Sequence, residues 1–145
     1  MQTTLTLVCQ KAADTASFLV DLDRRFRGVT DVYVNWARLM NTSSGDLGCV
    51  LLHMAPLVFD TYGLYGHSAA GADYHGFGHG MLVIPTDGTT TSTIVKYDPV
   101  VPKHAICSGG ILSGQLRIAV FDATGAAASL DFVVIDMTIG HSGYA

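Results

Sequence analysis

The stretch YGHSAAGADYHGFGHG, residues 65–80, gathers the side chains of this chain best suited to chemistry. His67, His75 and His79 fall within it, beside Asp73, Tyr65, Tyr74 and Phe77. Imidazole nitrogens and a carboxylate are zinc ligands, and histidine is the side chain whose charge changes near neutral pH. His75 and His79 stand four apart, which on a helix would place two ligands on one face. Five glycines within residues 66–80 argue against a helix there, so the spacing fixes no ligand geometry. No HExxH arrangement supplies a general base. Three readings stand side by side. The segment gathers a metal, or its histidines charge in mild acid and push subunits apart, or it is an adaptable loop. In the last case Tyr62, Tyr65, Tyr74 and Phe77 supply contact area to a neighbour, and a glycine-rich segment fits this reading best.

Other candidates are weaker. ICSGG around Cys107 and GHSGY at 140–144 resemble nucleophile settings, but neither has the GxSxG elbow or a papain-like surround. His53, within LLHMAP, reads as a core or interface residue, and Trp36 as core. DRRFR, residues 23–27, is the densest positive cluster. Arg24, Arg25 and Arg27 read as a solvated turn or as a contact to an acidic neighbouring subunit, and are too few for a nucleic-acid footprint. The residues point to no catalytic group, cofactor or assigned metal site, and the chain reads as a non-enzyme.

The elements that must position these residues are strands. Short runs rich in β-branched residues recur between Gly, Pro, Asp, Asn and Ser clusters, and no convincing amphipathic helix is present. TTLTLVC puts Leu5 and Leu7 on one face, and SFLVDL does the same with Phe18, Val20 and Leu22. VTDVYVNWARLM centres on Val32, Val34 and Trp36, and GCVLLHMAPL is almost wholly apolar. MLVIP and STIVKYDP come after the histidine segment. GQLRIAVFD then sets Leu116, Ile118 and Val120 against Gln115 and Arg117, with Ala119 and Phe121 facing outward. In LDFVVIDMTI the alternation slips between Phe132 and Val134, as a β-bulge would cause. NTSSGD, TDGTTT and DATGAAA supply turn chemistry. These features predict an all-β domain over 1–145 with eight antiparallel strands, either a jelly-roll sandwich or an up-and-down barrel. The long links 57–80 and 98–110 favour the jelly roll, the second reading as a proline-containing crossing.

Composition narrows the class. The net charge is −4, with no basic arm, which argues against direct nucleic-acid binding. Charged residues make up only 14% of the chain against about 25% in an average soluble domain. Hydrophobic residues reach 49%, and mean hydropathy is +0.36. That balance favours a subunit that hides apolar surface against neighbours. Cys9, Cys49 and Cys107 lie in or beside apolar runs without CxxC spacing, and read as buried thiols in a reducing compartment. No signal peptide or membrane-length apolar run is legible, and Asn41-Thr42-Ser43 reads as a turn.

The second half, from MLVIPTDG through KYDPVVPKH and GQLRIAVFDATG to LDFVVIDMTI, resembles the C-terminal part of single jelly-roll capsid proteins. These are the penton and minor capsid proteins of large icosahedral double-stranded DNA viruses and their virophage relatives. FLVDLDRRFRGVTDVYVNWARLMNTS is similar to that family's second- and third-strand region, with its apolar-Asp-Leu start and GVxxV kink. The resemblance runs from about Phe18 to Ile139. It implies a homopentamer at the capsid vertex, docked to major and minor capsid proteins, without cofactor or membrane span. It implies residence in the virion after synthesis in host cytoplasm. Arg24, Arg25, Arg27, Tyr65, Tyr74, His75, Phe77 and Phe121 are the expected interface residues. The chain has no insertion domain that would form a spike. A jelly-roll carbohydrate-binding module using Trp36 or the tyrosines, and a cupin-like metal enzyme using His67, His75 and His79, are the alternatives.

Overall fold

The computed structural model describes residues 1–42, 45–65 and 75–144. It holds strands β1 (Gln2–Thr15), β2 (Ser17–Asp21), β3 (Phe26–Arg27), β4 (Asp31–Met40), β5 (Cys49–Ala55), β6 (Leu57–Phe59), β7 (Gly63–Tyr65) and β8 (His75–Phe77). Next in the chain come β9 (Leu82–Pro85), β10 (Val95–Tyr97), β11 (Lys103–Cys107), β12 (Ile111–Leu112), β13 (Gln115–Phe121), β14 (Leu130–Gly140) and β15 (Gly143–Tyr144). A 3₁₀ turn at Ser108–Gly110 is the only helical element among the described residues.

The protein is all-β, with two main antiparallel sheets. One runs β1-β14-β4-β11-β6, with β10 also on β4, and the other runs β2-β13-β5-β9. Taking β10 and β11 as one interrupted strand, the eight principal strands stand first–eighth–third–sixth in one sheet. In the other they stand second–seventh–fourth–fifth. This is the nested order of a jelly roll, and it excludes the up-and-down barrel, in which sequence neighbours pair. The strand count exceeds the expected eight, because the link 57–80 carries short strands of its own, the sixth principal strand is split into β10 and β11, and β3, β12 and β15 form a small separate sheet. Residues 57–80 contain β6, β7 and β8. Residues 98–110 are not a crossing: β10 pairs Val95 to Leu39, and β11 resumes on the same partner strand with Lys103 opposite Val34. The segment DPVVP is therefore looped out of one strand, since Pro99 and Pro102 have no N–H to give a ladder.

The core lies between the sheets. Leu7, Val32, Val34, Leu39, Ile135, Met137 and Ile139 come from one, and Phe18, Val50, Leu52, Met54, Ile84, Leu116, Ile118 and Val120 from the other. Alternation placed most of these, and it failed where the backbone bulges. In β4, Val34 faces Met137 while Trp36 faces Asp136, leaving Asn35 as the extra residue. That residue reverses the side-chain parity. Ala37 and Leu39 turn inward in place of Trp36, which is only half-buried. The Arg38 guanidinium lies 5.2 Å from the Trp36 ring centroid and 3.0 Å from Asp98. Trp36 is thus a surface-facing residue held under a cation, not core. In β14 the burial parity changes between Leu130 and Val133, opposite a register irregularity in β1 between Gln10 and Thr15. His53 is exposed on the outer face of the second sheet, opposite Ala119, rather than in the core.

Candidate assembly surface

The histidine segment begins as a hairpin. β7 and β8 pair Gly63 to Phe77, Leu64 to Gly76 and Tyr65 to His75. His75 is therefore in a strand, and its spacing to His79 is not helical. The side chains of Tyr65, His75 and Phe77, and the whole of His67, Asp73 and Tyr74, lie outside the described residues. Among the described residues no group of three or more His, Cys or Asp side chains is placed to hold a metal ion.

Beyond the hairpin, hydrogen bonds tie the chain back to its own start. Phe59 N–H donates to the Gly80 carbonyl, and Gly80 N–H donates to that of Thr61. The His79 ring stands 4.5 Å from that of Tyr62. Gly78 has φ +64°, and a Cβ there would sit 3.3 Å from Leu51 Cδ2 and 3.4 Å from Val83 Cγ2. Glycine is required by the left-handed backbone and tolerates the close approach. Leu51 lies on the odd, outward parity of β5, yet is 1% exposed and outside the main core cluster. The returning chain covers the outer face of the second sheet at Leu51 and Val83. Phe121, in register with Leu51 on β13, is half-buried beside it. Ala119 is half-buried too.

Arg24, Arg25 and Arg27 are exposed, while Phe26 between them is buried. They border a small sheet, β12-β3-β15, that brings the C-terminal strand against the turn. Arg24 sits 5.1 Å from the Tyr144 ring centroid. His141, 4% exposed, meets Phe26 edge-on at 5.1 Å. Its Nδ1 is 3.2 Å from the Gly143 carbonyl, which can only accept, so Nδ1 carries the proton. In the neutral ring Nε2 then accepts from the Thr3 hydroxyl at 2.8 Å. His141 therefore joins both ends of the described chain as a structural residue, not a base aimed at solvent. Neither the Arg38–Asp98 ion pair nor the His104–Asp31 hydrogen bond involves the three arginines.

The opposite end is closed by a polar hub. Asp46 Oδ1 accepts the Thr90 and Thr91 N–H groups at 3.0 Å each. These bonds hold the Asp46 carboxyl below its ordinary pKa. Thr90, fully buried, accepts from Leu47 N–H at 2.9 Å, and Thr86 donates to the Leu47 carbonyl. The turns between the third and fourth and between the fifth and sixth principal strands are thereby tied into one compact tip. Burial raises the pKa of Cys9, Cys49 and Cys107, and Cys49 is only partly buried.

One surface was missed by residue-type reasoning. The looped-out residues 98–102 leave Val100 fully exposed and Val101 73% exposed. Beside them runs a groove of 810 Å³ lined by Phe59, Asp60, Thr61, Tyr62, Leu82, Val83, Pro85, Tyr97 and Lys103 among others. The proline-flanked valine pair was its sequence signal, masked by its reading as a crossing. Val58 and Ile106, paired across β6 and β11, add exposed apolar area. No family model matches the chain, and no curated protein matches it. No helix among the described residues is long and apolar enough to cross a membrane.

Proposed function

We propose that this chain is a structural capsid protein, the penton subunit of an icosahedral virus, acting by self-association and by docking to neighbouring capsid proteins. The observation that carries the reading is the nested strand order, first–eighth–third–sixth against second–seventh–fourth–fifth. It falls on the same runs, MLVIP to LDFVVIDMTI, that resemble single jelly-roll capsid proteins. Fold alone never assigns function, and two further features lend support. A 14% charge fraction accompanies exposed Val8, Leu19, Val58, Tyr62, Val100 and Ile106, surface that an assembly would cover. The tip around Asp46 is compact and hydrogen-bonded, which suits a vertex plug without a spike. The chain would contribute no chemistry, only shape and contact.

Light scattering of the purified chain tests the reading, at neutral pH and again at about pH 5.5, below the ordinary histidine pKa. The expected result is a pentamer at neutral pH. A monomer at every concentration, with binding on a glycan array, would replace the capsid reading with a carbohydrate-binding module.

A further inference from the structure

We propose that the groove beside residues 98–102 docks a second copy of this chain, the two copies exchanging their Pro99–Pro102 ridges about a two-fold axis. The inference goes beyond the capsid reading and does not rest on it.

The ridge is unlike an ordinary surface loop. It interrupts an edge-side strand that is otherwise continuous on β4, with β10 leaving after Tyr97 and β11 returning at Lys103. The part that protrudes is apolar: Val100 is 100% exposed and Val101 73% exposed. Burying a valine side chain is favourable, so one fully and one largely displayed valine at a proline-stiffened tip carry a standing cost. Flanking prolines hold the tip extended and remove two N–H groups that a docked ridge would otherwise have to satisfy.

The groove matches that ridge in character. Its walls are Phe59, Tyr62, Leu82, Val83 and Pro85, with Tyr62 itself 76% exposed. At 810 Å³ it has room for several side chains. The free edge of β9 faces it, and Pro85 on that edge prevents simple strand addition. A side-chain ridge, not a fifth strand of this sheet, is what this edge can receive.

Charge and symmetry select the occupant. The groove carries one exposed acid, Asp60, and one exposed lysine, Lys103, and among the described residues neither is ion-paired, while the other basic side chain of its lining, His104, is taken up by Asp31 at 2.9 Å. A patch with one charge of each sign is complementary to itself. Ridge and groove also share one patch, with Val100 and Val101 forming part of the groove wall. A ring contact would need them on different faces. A shared patch gives an isologous, two-fold contact, in which Asp60 of each copy meets Lys103 of the other.

The test is sedimentation of the full chain over a concentration series, comparing wild type with Val100→Asp/Val101→Asp, Asp60→Lys, Lys103→Asp and the combined charge swap. Circular dichroism checks that each variant is folded. The expected result is a two-fold association weakened at least about tenfold by the valine variant and by each single swap, and recovered in the double swap. An association indifferent to the valine variant, or a double swap no better than its parents, overturns the proposal, as does a wild type that never pairs. A pentamer that ignores every substitution overturns the ridge contact and leaves the capsid reading standing. A dimer dissolved by the valine variant, with no five-fold species, supports the ridge contact and removes the penton.

Discussion

Leu51 and Leu52 are adjacent, equally hidden and covered by different things, and truncating each to alanine separates the two kinds of burial. Leu52 is 0% exposed within the inter-sheet core, and Leu51 is 1% exposed beneath Gly78 on the outer face. Buried Leu→Ala changes cost about 2.7–5.0 kcal/mol, and the spread reflects how far the surroundings collapse into the vacated space. Around Leu52, Val120 on the neighbouring strand and the facing sheet hold the cavity open. The expected cost there is about 4–5 kcal/mol. Around Leu51 the cover is a glycine at φ +64° on a returning loop, which can settle inward. There the expected cost is about 3 kcal/mol. For a domain of this size the gap corresponds to about 3–6 °C in melting temperature, measured by denaturant and thermal unfolding with equal m-values. Hydrogen exchange adds a local readout: in Leu51→Ala the amides of Gly80 and Met81 lose protection while those of Val120 and Ile135 keep theirs. Equal costs for the two variants would refute the idea of a separately collapsible cover. A neutral Leu51→Ala would refute the cover itself.

Three further outcomes are expected. Trp36→Ala costs about 1 kcal/mol, well below the 3–5 of a buried aromatic, and acrylamide quenches the Trp36 emission readily; a loss above about 3 kcal/mol would return Trp36 to the core. Asp46, whose pKa is lowered by the Thr91 and Thr90 amides, contributes stability that is present above its unfolded value of about 4 and lost as pH falls through the lower folded value. Protection of those two amides, measured against their intrinsic exchange rates at each pH, should therefore fall in acid in the wild type and stay level in Asp46→Asn, whose amide oxygen still accepts and takes up no proton; parallel behaviour would discount the hub. Tyr97 has a buried hydroxyl without a hydrogen-bond partner among the described residues. Tyr97→Phe should be neutral or stabilise by about 1 kcal/mol, and a comparable loss on chemical denaturation would reveal a partner.

Much of the fold was legible because period-two alternation is a local property. Leu116, Ile118 and Val120 can face the core only if Gln115 and Arg117 face water, and each residue's side is set by its neighbour's. The β-branched runs, the turn clusters and the long link 57–80 indicated an antiparallel jelly roll, and the strand order agrees, although the second link, 98–110, was misread as a crossing. Local patterning could not reveal Asn35. A bulge depends on how many residues the partner strand sets opposite, so Trp36 was assigned to the wrong face. The same limit concealed the ridge. DPVVP reads as a crossing until β10 and β11 are seen to share β4 as partner. His53 shows the limit on a single side chain: set among apolar neighbours in sequence, it stands exposed on a face that only the sheet order defines.

The amino-acid sequence by itself determined the all-β class, the inward and outward residues of the regular strands, and a charge fraction of only 14%, because hydrophobic period and composition need no partner to be read. Only the tertiary structure decided which strands share a sheet, that His141 joins Thr3 to the C-terminal strand, that Gly78 covers Leu51, and that Val100 and Val101 stand out beside an apolar groove. Those are contacts between residues far apart in the chain, and long-range packing, not local preference, sets them.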